Sequence, residues 1–214
     1  MNRLSGGRKV YHDSYSKARM SAQQVHSEAV MAVFCRLKQD IDTPTGFERL
    51  MKELLILRHA KSTHSNPRVA DHDRPLNDRG LETAPRVGRL LAEQGLLPDL
   101  VLCSTARRTT ETAALVTEAA GHEVHTEHLG ELYLASAQTI LELVVLGAGE
   151  ADRVMVVGHN PGMEGVLSML GLGMHEMPTA ALAHVRFDID DWIMATSTSC
   201  TSLENLWLAR TLPD

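Results

Sequence analysis

Two apolar runs in this 214-residue chain each end in a histidine, and that pairing constrains the fold more than any other feature. The first is Leu54-Leu55-Ile56-Leu57, followed without a spacer by Arg58-His59-Ala60-Lys61-Ser62. The second is Val154-Met155-Val156-Val157, which runs straight into Gly158-His159-Asn160-Pro161-Gly162. Short continuous apolar runs of this kind read as strands buried on both faces, as in a parallel sheet. Residues just beyond the carboxyl ends of such strands sit where open α/β sheets bind their ligands. A third run, Leu100-Val101-Leu102-Cys103, passes through Ser104 to a helix start carrying Arg107 and Arg108. Two histidines and two arginines delivered by three strand ends make a site for an anionic phosphoryl group.

Between these strands the chain alternates strand and helix signals. Asn77 or Asp78 can cap a helix that continues to about Gln94, with Leu81, Ala84, Val87, Leu90 and Leu91 on one face and Gly95 at its end. Pro85 inside that pattern predicts a kink, or a place in the first turns where its cost is lower. A second helix is expected over about 106–120, a shorter strand over 122–128, and a third helix over about 137–146. Pro161 suits the first turn of a fourth helix reaching about Leu170. The segment 182–189 alternates as a strand, and one or two edge strands are expected in the tail through Trp192 and over 206–210. Strands alternating with helices imply an α/β fold of three layers, α/β/α, with a mostly parallel central sheet and helices on both faces.

The first fifty residues read differently. They carry a net charge of +3 against −9 for residues 51–214, and offer one weak helical pattern over 18–37 before Thr43-Pro44-Thr45-Gly46. Residues 1–50 are therefore expected to be a disordered or loosely attached extension, and 51–214 the domain. An acidic domain is a poor nucleic-acid binder, because phosphate contacts need a basic face. No apolar run approaches a membrane span, so no membrane partner is expected and the cytoplasm is the expected location. Cys35, Cys103 and Cys200 give neither a disulfide framework nor metal-ligand spacing. Of the 11 histidines, His122, His125, His128, His175 and His184 have no zinc-type spacing and are expected at the surface or at strand edges. His64 and His72 lie in the loop after the first strand and could touch substrate.

Arg58-His59-Ala60, the Ser104-to-Thr112 segment with Arg108 and Glu111, and Gly158-His159 resemble, in that order, the motifs of the histidine phosphatase superfamily, of phosphoglycerate mutase-like fold. The Arg-His-Ala-Lys-Ser and Gly-His-Asn-Pro forms are similar to its small phosphohistidine phosphatase branch, related to phosphatases of bacterial phosphorelays. Ala60 stands where the family has glycine. The resemblance implies His59 as nucleophile, with Arg58, Arg108 and His159 around the phosphoryl group; the family places its site arginine four residues after the serine, which selects Arg108 over Arg107. Glu131, in Leu129-Gly130-Glu131, stands where many relatives carry a general acid, and equally reads as a solvated loop residue. Lys61 and Ser62 are either substrate contacts or an ordinary turn, and Asn160 is similar. Gly158 is expected to bring backbone close to the ligand.

The chemistry follows from these groups. A neutral imidazole is a competent nucleophile near pH 7, and a covalent phosphoryl-enzyme splits one displacement into two. Guanidinium grips phosphate with paired hydrogen bonds, so arginines replace a metal as charge clamp, and no metal or other cofactor is required. The expectation is a metal-independent phosphatase forming phospho-His59. Its substrate would be phosphohistidine in a protein, because the motif forms resemble that branch and the chain lacks the insertions that form lids over small metabolites in mutase-like relatives. A small-molecule phosphomonoesterase and a catalytically silent phosphoprotein-binding domain are the alternatives; a mutase would need a lid and further basic contacts.

Overall fold

The computed structural model describes residues 51–63, 68–195 and 201–212. The helix expected over 18–37, the extension 1–50 and His64 lie outside the described residues. Arg49–Asp214 forms one compact unit. No helix among the described residues is long and apolar enough to cross a membrane.

A six-stranded sheet runs in the order β3-β2-β4-β1-β5-β6. The strands are β1 (Lys52–Arg58), β2 (Leu100–Ser104), β3 (His125–Leu129), β4 (Arg153–Gly158), β5 (Leu182–Phe187) and β6 (Thr201–Trp207). The pairs β1–β4, β2–β4 and β2–β3 are parallel, while β5 and β6 add antiparallel strands. Helices α1 (Asp78–Glu93) and α2 (Arg107–Ala119) cover one face, and α3 (Ala137–Gly147) and α4 (Gly162–Met169) the other. The apolar runs of the central strands have a simple cause. Leu54 and Ile56 pack toward α3 and α4, Leu55 and Leu57 toward α1 and α2, and Val154/Val156 and Met155/Val157 divide in the same way. With both faces covered, every position must be apolar.

Asn77 caps α1, its side chain accepting from the Gly80 N–H at 3.0 Å. Gly80 is required by a close approach, because a Cβ there would collide with the carbonyl oxygen of Lys61. That carbonyl also accepts from the Asn77 N–H at 3.0 Å, which fastens α1 to the turn after His59. Pro85 lies well inside α1 and the helix continues through it. The proline leaves the Leu81 carbonyl without its usual donor, but Leu81 is exposed and water can serve.

Four sequence expectations need correction. The strand expected over 122–128 begins at His125, because Gly121 at φ +62° still belongs to the turn that ends α2. Trp192 is a core anchor in a single 3-10 turn: its Nε1–H donates to the Ala151 carbonyl at 2.6 Å and its ring meets Phe187 edge-on. The tail strand is Thr201–Trp207, and Ala209–Thr211 turns as 3-10 helix. His184, expected at an edge, is buried and paired with Glu53 at 3.0 Å, because β6 covers β5.

Candidate active site

Parallel register brings the three sequence motifs to one end of the sheet. Arg58 is level with Gly158, Leu57 with Val157, and Cys103 with Val157 on the other side. The His59 N–H donates to the Gly158 carbonyl at 3.1 Å, so the two histidine-bearing turns are bonded to each other. Helix α2 is tied to the same turn. Thr112 Oγ1 accepts from the Ala60 N–H at 3.0 Å and donates to the Arg108 carbonyl at 2.6 Å.

His59 is 8% exposed, and its Nδ1 lies 2.8 Å from the Ala60 carbonyl oxygen. A carbonyl only accepts, so Nδ1 carries the proton and Nε2 keeps its lone pair. Arg108 Nε donates toward that lone pair at 3.3 Å. The second imidazole, His159, is 2% exposed, with ring centroids 5.2 Å apart. Arg108 Nη2 lies 3.1 Å from His159 Nδ1, and Ser104 Oγ lies 2.9 Å from its Nε2. A guanidinium only donates, so His159 Nδ1 is an acceptor here and Nε2–H donates to Ser104. Burial pushes the His59 pKa down from 6.5 to about 4, its bond to Ala60 opposing and the arginines adding to the shift. Burial, then Arg108, pushes His159 down to about 3. Both rings are neutral near pH 7, so His159 cannot donate from Nδ1 until a proton is placed there.

Arg108 is 2% exposed and spans the cluster: beyond the two imidazoles, its Nη1 donates to the Asp71 carbonyl at 2.6 Å and its Nη2 to Asp71 Oδ2 at 3.1 Å. Arg107 turns outward and pairs with Glu111 at 2.7 Å, while the other Glu111 oxygen accepts from the Leu76 N–H. Arg58 Nη1 donates to the Met177 carbonyl at 2.7 Å, and its buried Nε has no partner among the described residues. Glu164 is the carboxylate on that side, accepting from Asn160 Nδ2 at 2.6 Å and from the Met177 N–H at 2.9 Å.

The remaining sequence candidates fall in different places. Ser62 is buried, and its hydroxyl accepts from Arg74 Nη1 at 3.2 Å. Lys61 is exposed, and its carbonyl accepts from the Asn77 N–H. Asn160 turns toward Glu164 and the Met177 carbonyl, and its buried Oδ1 has no partner among the described residues. The missing side chain of Gly158 makes room for the Met163 methyl, so its backbone serves to hold His59. Glu131 lies in a 3-10 turn with an exposed side chain, and no contact among the described residues ties it to the cluster. His72 reaches Thr105 Oγ1 at 3.0 Å and meets Tyr133 edge-on.

Sequence reasoning passed over Asp71, Arg74, Tyr133 and Glu164. Tyr133 donates to Asp71 Oδ2 at 2.7 Å and meets His159 edge-on at 5.5 Å. Arg74 grips Asp71 Oδ1 at 2.6 Å. The run Asp71-His72-Asp73-Arg74 before the α1 cap was the available signal, but nothing in a loop sequence says which way it folds back. Among the described residues no group of three or more His, Cys, Asp or Glu side chains gathers as a metal site.

An α/β sheet whose strand ends present two neutral imidazoles to a buried guanidinium, with a second half-buried one beside them, defines a phosphoryl-handling enzyme of phosphoglycerate mutase-like fold. The family model of the histidine phosphatase superfamily (branch 1) matches residues 54–140. An uncharacterized chloroplastic protein of Arabidopsis thaliana is 30% identical over 159 residues, 70% of this chain and 73% of that protein. The crystal structure of a protein provisionally named phosphohistidine phosphatase SixA from Agrobacterium tumefaciens superposes with TM-score 0.62 at 29% identity, covering 73% of this chain and 97% of that one. A second protein so named, from Nakamurella multipartitia, gives TM-score 0.64 at 27% identity, covering 77% of this chain and 98% of that one. The chain belongs to the histidine phosphatase superfamily, and it is a phosphatase.

Proposed function

We propose that the protein is a metal-independent phosphatase that works through a phosphoryl group on His59 Nε2 and that its substrate is phosphohistidine in a protein. The observation that carries this reading is the protonation pattern of His59. Its proton is held on Nδ1 by the Ala60 carbonyl, and its Nε2 lone pair faces the Arg108 guanidinium. A nucleophile needs that lone pair free at working pH, and burial keeps the ring neutral.

A phosphoryl group entering between His59 and His159 would take over the donors that Arg108 now gives to the two imidazoles. Arg58 Nε, without a partner among the described residues, would supply a further donor. Fixed cations aimed at the equatorial oxygens stabilise the transferring group without reorganisation. In the first step His59 Nε2 bonds to phosphorus, and the bond from phosphorus to the leaving atom breaks with its electron pair. In the second, water attacks phosphorus, the Nε2–P bond returns its pair to His59, and the water proton passes to solution. The bound dianion offsets the arginine field at His159, favouring a proton on Nδ1 that can then donate to a phosphoryl oxygen.

An imidazole already protonated on its far nitrogen leaves phosphorus as a neutral ring and needs no further acid. An alkoxide does need one, and Glu131, exposed and unengaged, is the candidate donor for that alternative substrate class. The names of the SixA relatives support the phosphohistidine reading. We place the enzyme in the cytoplasm, with neither nucleic acid nor membrane as partner.

The test is to trap a base-stable, acid-labile phosphoryl group on the wild type and compare turnover of a phosphohistidine protein with that of small phosphomonoesters. Label on wild type and none on His59→Ala, with the phosphohistidine protein preferred, is expected. Preference for small esters that collapses in Glu131→Gln would make the enzyme a phosphomonoesterase. An unlabelled wild type that still binds the phosphoprotein would make it a silent binding domain.

A further inference from the structure

Arg108 is buried at the centre of the site, and its donors divide into two groups. The edge formed by Nε and Nη2 faces the two imidazoles, at 3.3 Å from His59 Nε2 and 3.1 Å from His159 Nδ1. The outer side, Nη1 together with Nη2, is held by one residue, Asp71, through its carbonyl at 2.6 Å and its carboxylate at 3.1 Å. Asp71 is in turn held by two groups from elsewhere. Arg74 donates to Oδ1 from Nε at 3.0 Å and from Nη2 at 2.6 Å, and Tyr133 donates to Oδ2 at 2.7 Å. Arg74 is itself anchored on Ser62 and on the Thr63 carbonyl at 3.1 Å.

We propose that Asp71 is a positioning residue for the phosphatase reaction: by pinning the outer side of Arg108 it points the Nε/Nη2 edge at the volume between His59 and His159 where the phosphoryl group sits. The inference rests on the phosphatase reading above and adds the residue that aims its charge clamp. A planar guanidinium on a long side chain has many rotamers, and only one of them presents two parallel donors to a phosphoryl oxygen pair. The two bonds to imidazole lone pairs are given up when substrate enters, so they cannot hold Arg108 during the reaction. The bonds to Asp71 lie on the other side and remain. The Asp71 carboxyl is well below the usual carboxylate range, held there first by the Tyr133 hydroxyl and then by Arg74 and Arg108. It is therefore an anion throughout the working pH range, unsuited to acid catalysis and suited to holding a cation.

The experiment uses the full chain and compares wild type, Asp71→Asn, Asp71→Ala and Tyr133→Phe, with para-nitrophenyl phosphate as substrate and orthovanadate as probe of the occupied clamp. Misplacing a catalytic group by about 1 Å costs on the order of 100-fold. Asp71→Ala is expected to lose about that much in kcat, with KM changed much less. Asp71→Asn, which keeps one acceptor but not the charge, is expected to lose about 10-fold, and Tyr133→Phe less. Orthovanadate affinity is expected to weaken in step with kcat. Added formate, small enough to enter between Arg74 and Arg108, is expected to restore part of the Asp71→Ala rate and none of the wild-type rate. A merely structural loss would not respond to formate, and the melting temperature of each variant guards against misfolding. A well-folded Asp71→Ala with wild-type kcat, with tighter orthovanadate binding, or with no response to formate would overturn the inference while leaving the phosphatase reading intact. A wild type that neither turns over substrate nor binds orthovanadate would remove both.

Discussion

At the scale of single residues, the site is defined by where protons sit. His59 and His159 both titrate far below an ordinary histidine, at about 4 and about 3, because each is buried and faces Arg108. Between the unfolded value of 6.5 and about 4, the unfolded chain binds more protons than the folded one. The sign of the linkage follows: this contribution to stability is complete above pH 6.5 and is lost as pH falls toward the folded values. Nitrogen-detected NMR of the imidazoles should find both rings neutral at about pH 5.5, where a free histidine is mostly charged. Orthovanadate should raise both pKa values by cancelling part of the arginine field. A charged His59 in the ligand-free protein at that pH would contradict the account. Cys103, by contrast, is pushed up to about 12 by burial and stays an inert thiol in the core.

At the scale of elements, two contacts transmit the fold to the turn that carries His59. Helix α2 holds the Ala60 N–H through Thr112, and helix α1 lies directly on the Lys61 carbonyl at Gly80. The obstacle above Gly80 is backbone, which cannot swing aside as the end of a side chain can. Gly80→Ala is therefore expected to cost about 1–3 kcal/mol of stability through overpacking. It should also lower kcat, because the displaced turn carries His59. Denaturant unfolding and steady-state kinetics on the same variant would check both, and an unperturbed protein would show that the turn has slack. These contacts mark the boundary of what was legible in the sequence. The apolar runs and the Arg-His and Gly-His junctions foretold the sheet and the pairing of imidazoles, because parallel strands with both faces covered have little freedom in composition. The loop bearing Asp71 and Arg74 was not legible, since its fold-back depends on Tyr133 and Arg108, distant in sequence. A second reason for Gly158 was hidden in the same way: its small size accommodates Met163, a packing neighbour the motif does not mention.

At the scale of the whole molecule, the compact unit Arg49–Asp214 contains the sheet, its four described helices and every residue assigned a role here. Two core clusters, one on each face of the sheet, account for its apolar content. A chain beginning at Met51 is therefore expected to melt cooperatively at the same temperature as the full chain and to keep its kcat. Loss of either on removing residues 1–50 would make that segment part of the working enzyme. The acidic balance of residues 51–214 has a related effect. The Arg108 guanidinium is buried inside a negatively charged domain, so raised salt should weaken phosphate binding there less than on a basic surface.

The alternation along β1 that sends Leu54 and Ile56 to one side and Leu55 and Leu57 to the other does not stop at the strand's end. Arg58 follows the even positions and meets Met177 on the α4 side, while His59 follows the odd ones and meets Arg108 from α2. The site straddles the lip of the sheet, drawing one cation from each flank. Its geometry is thus locked to the count of residues in β1: a slip by one would exchange the places of the His59 imidazole and the Arg58 guanidinium.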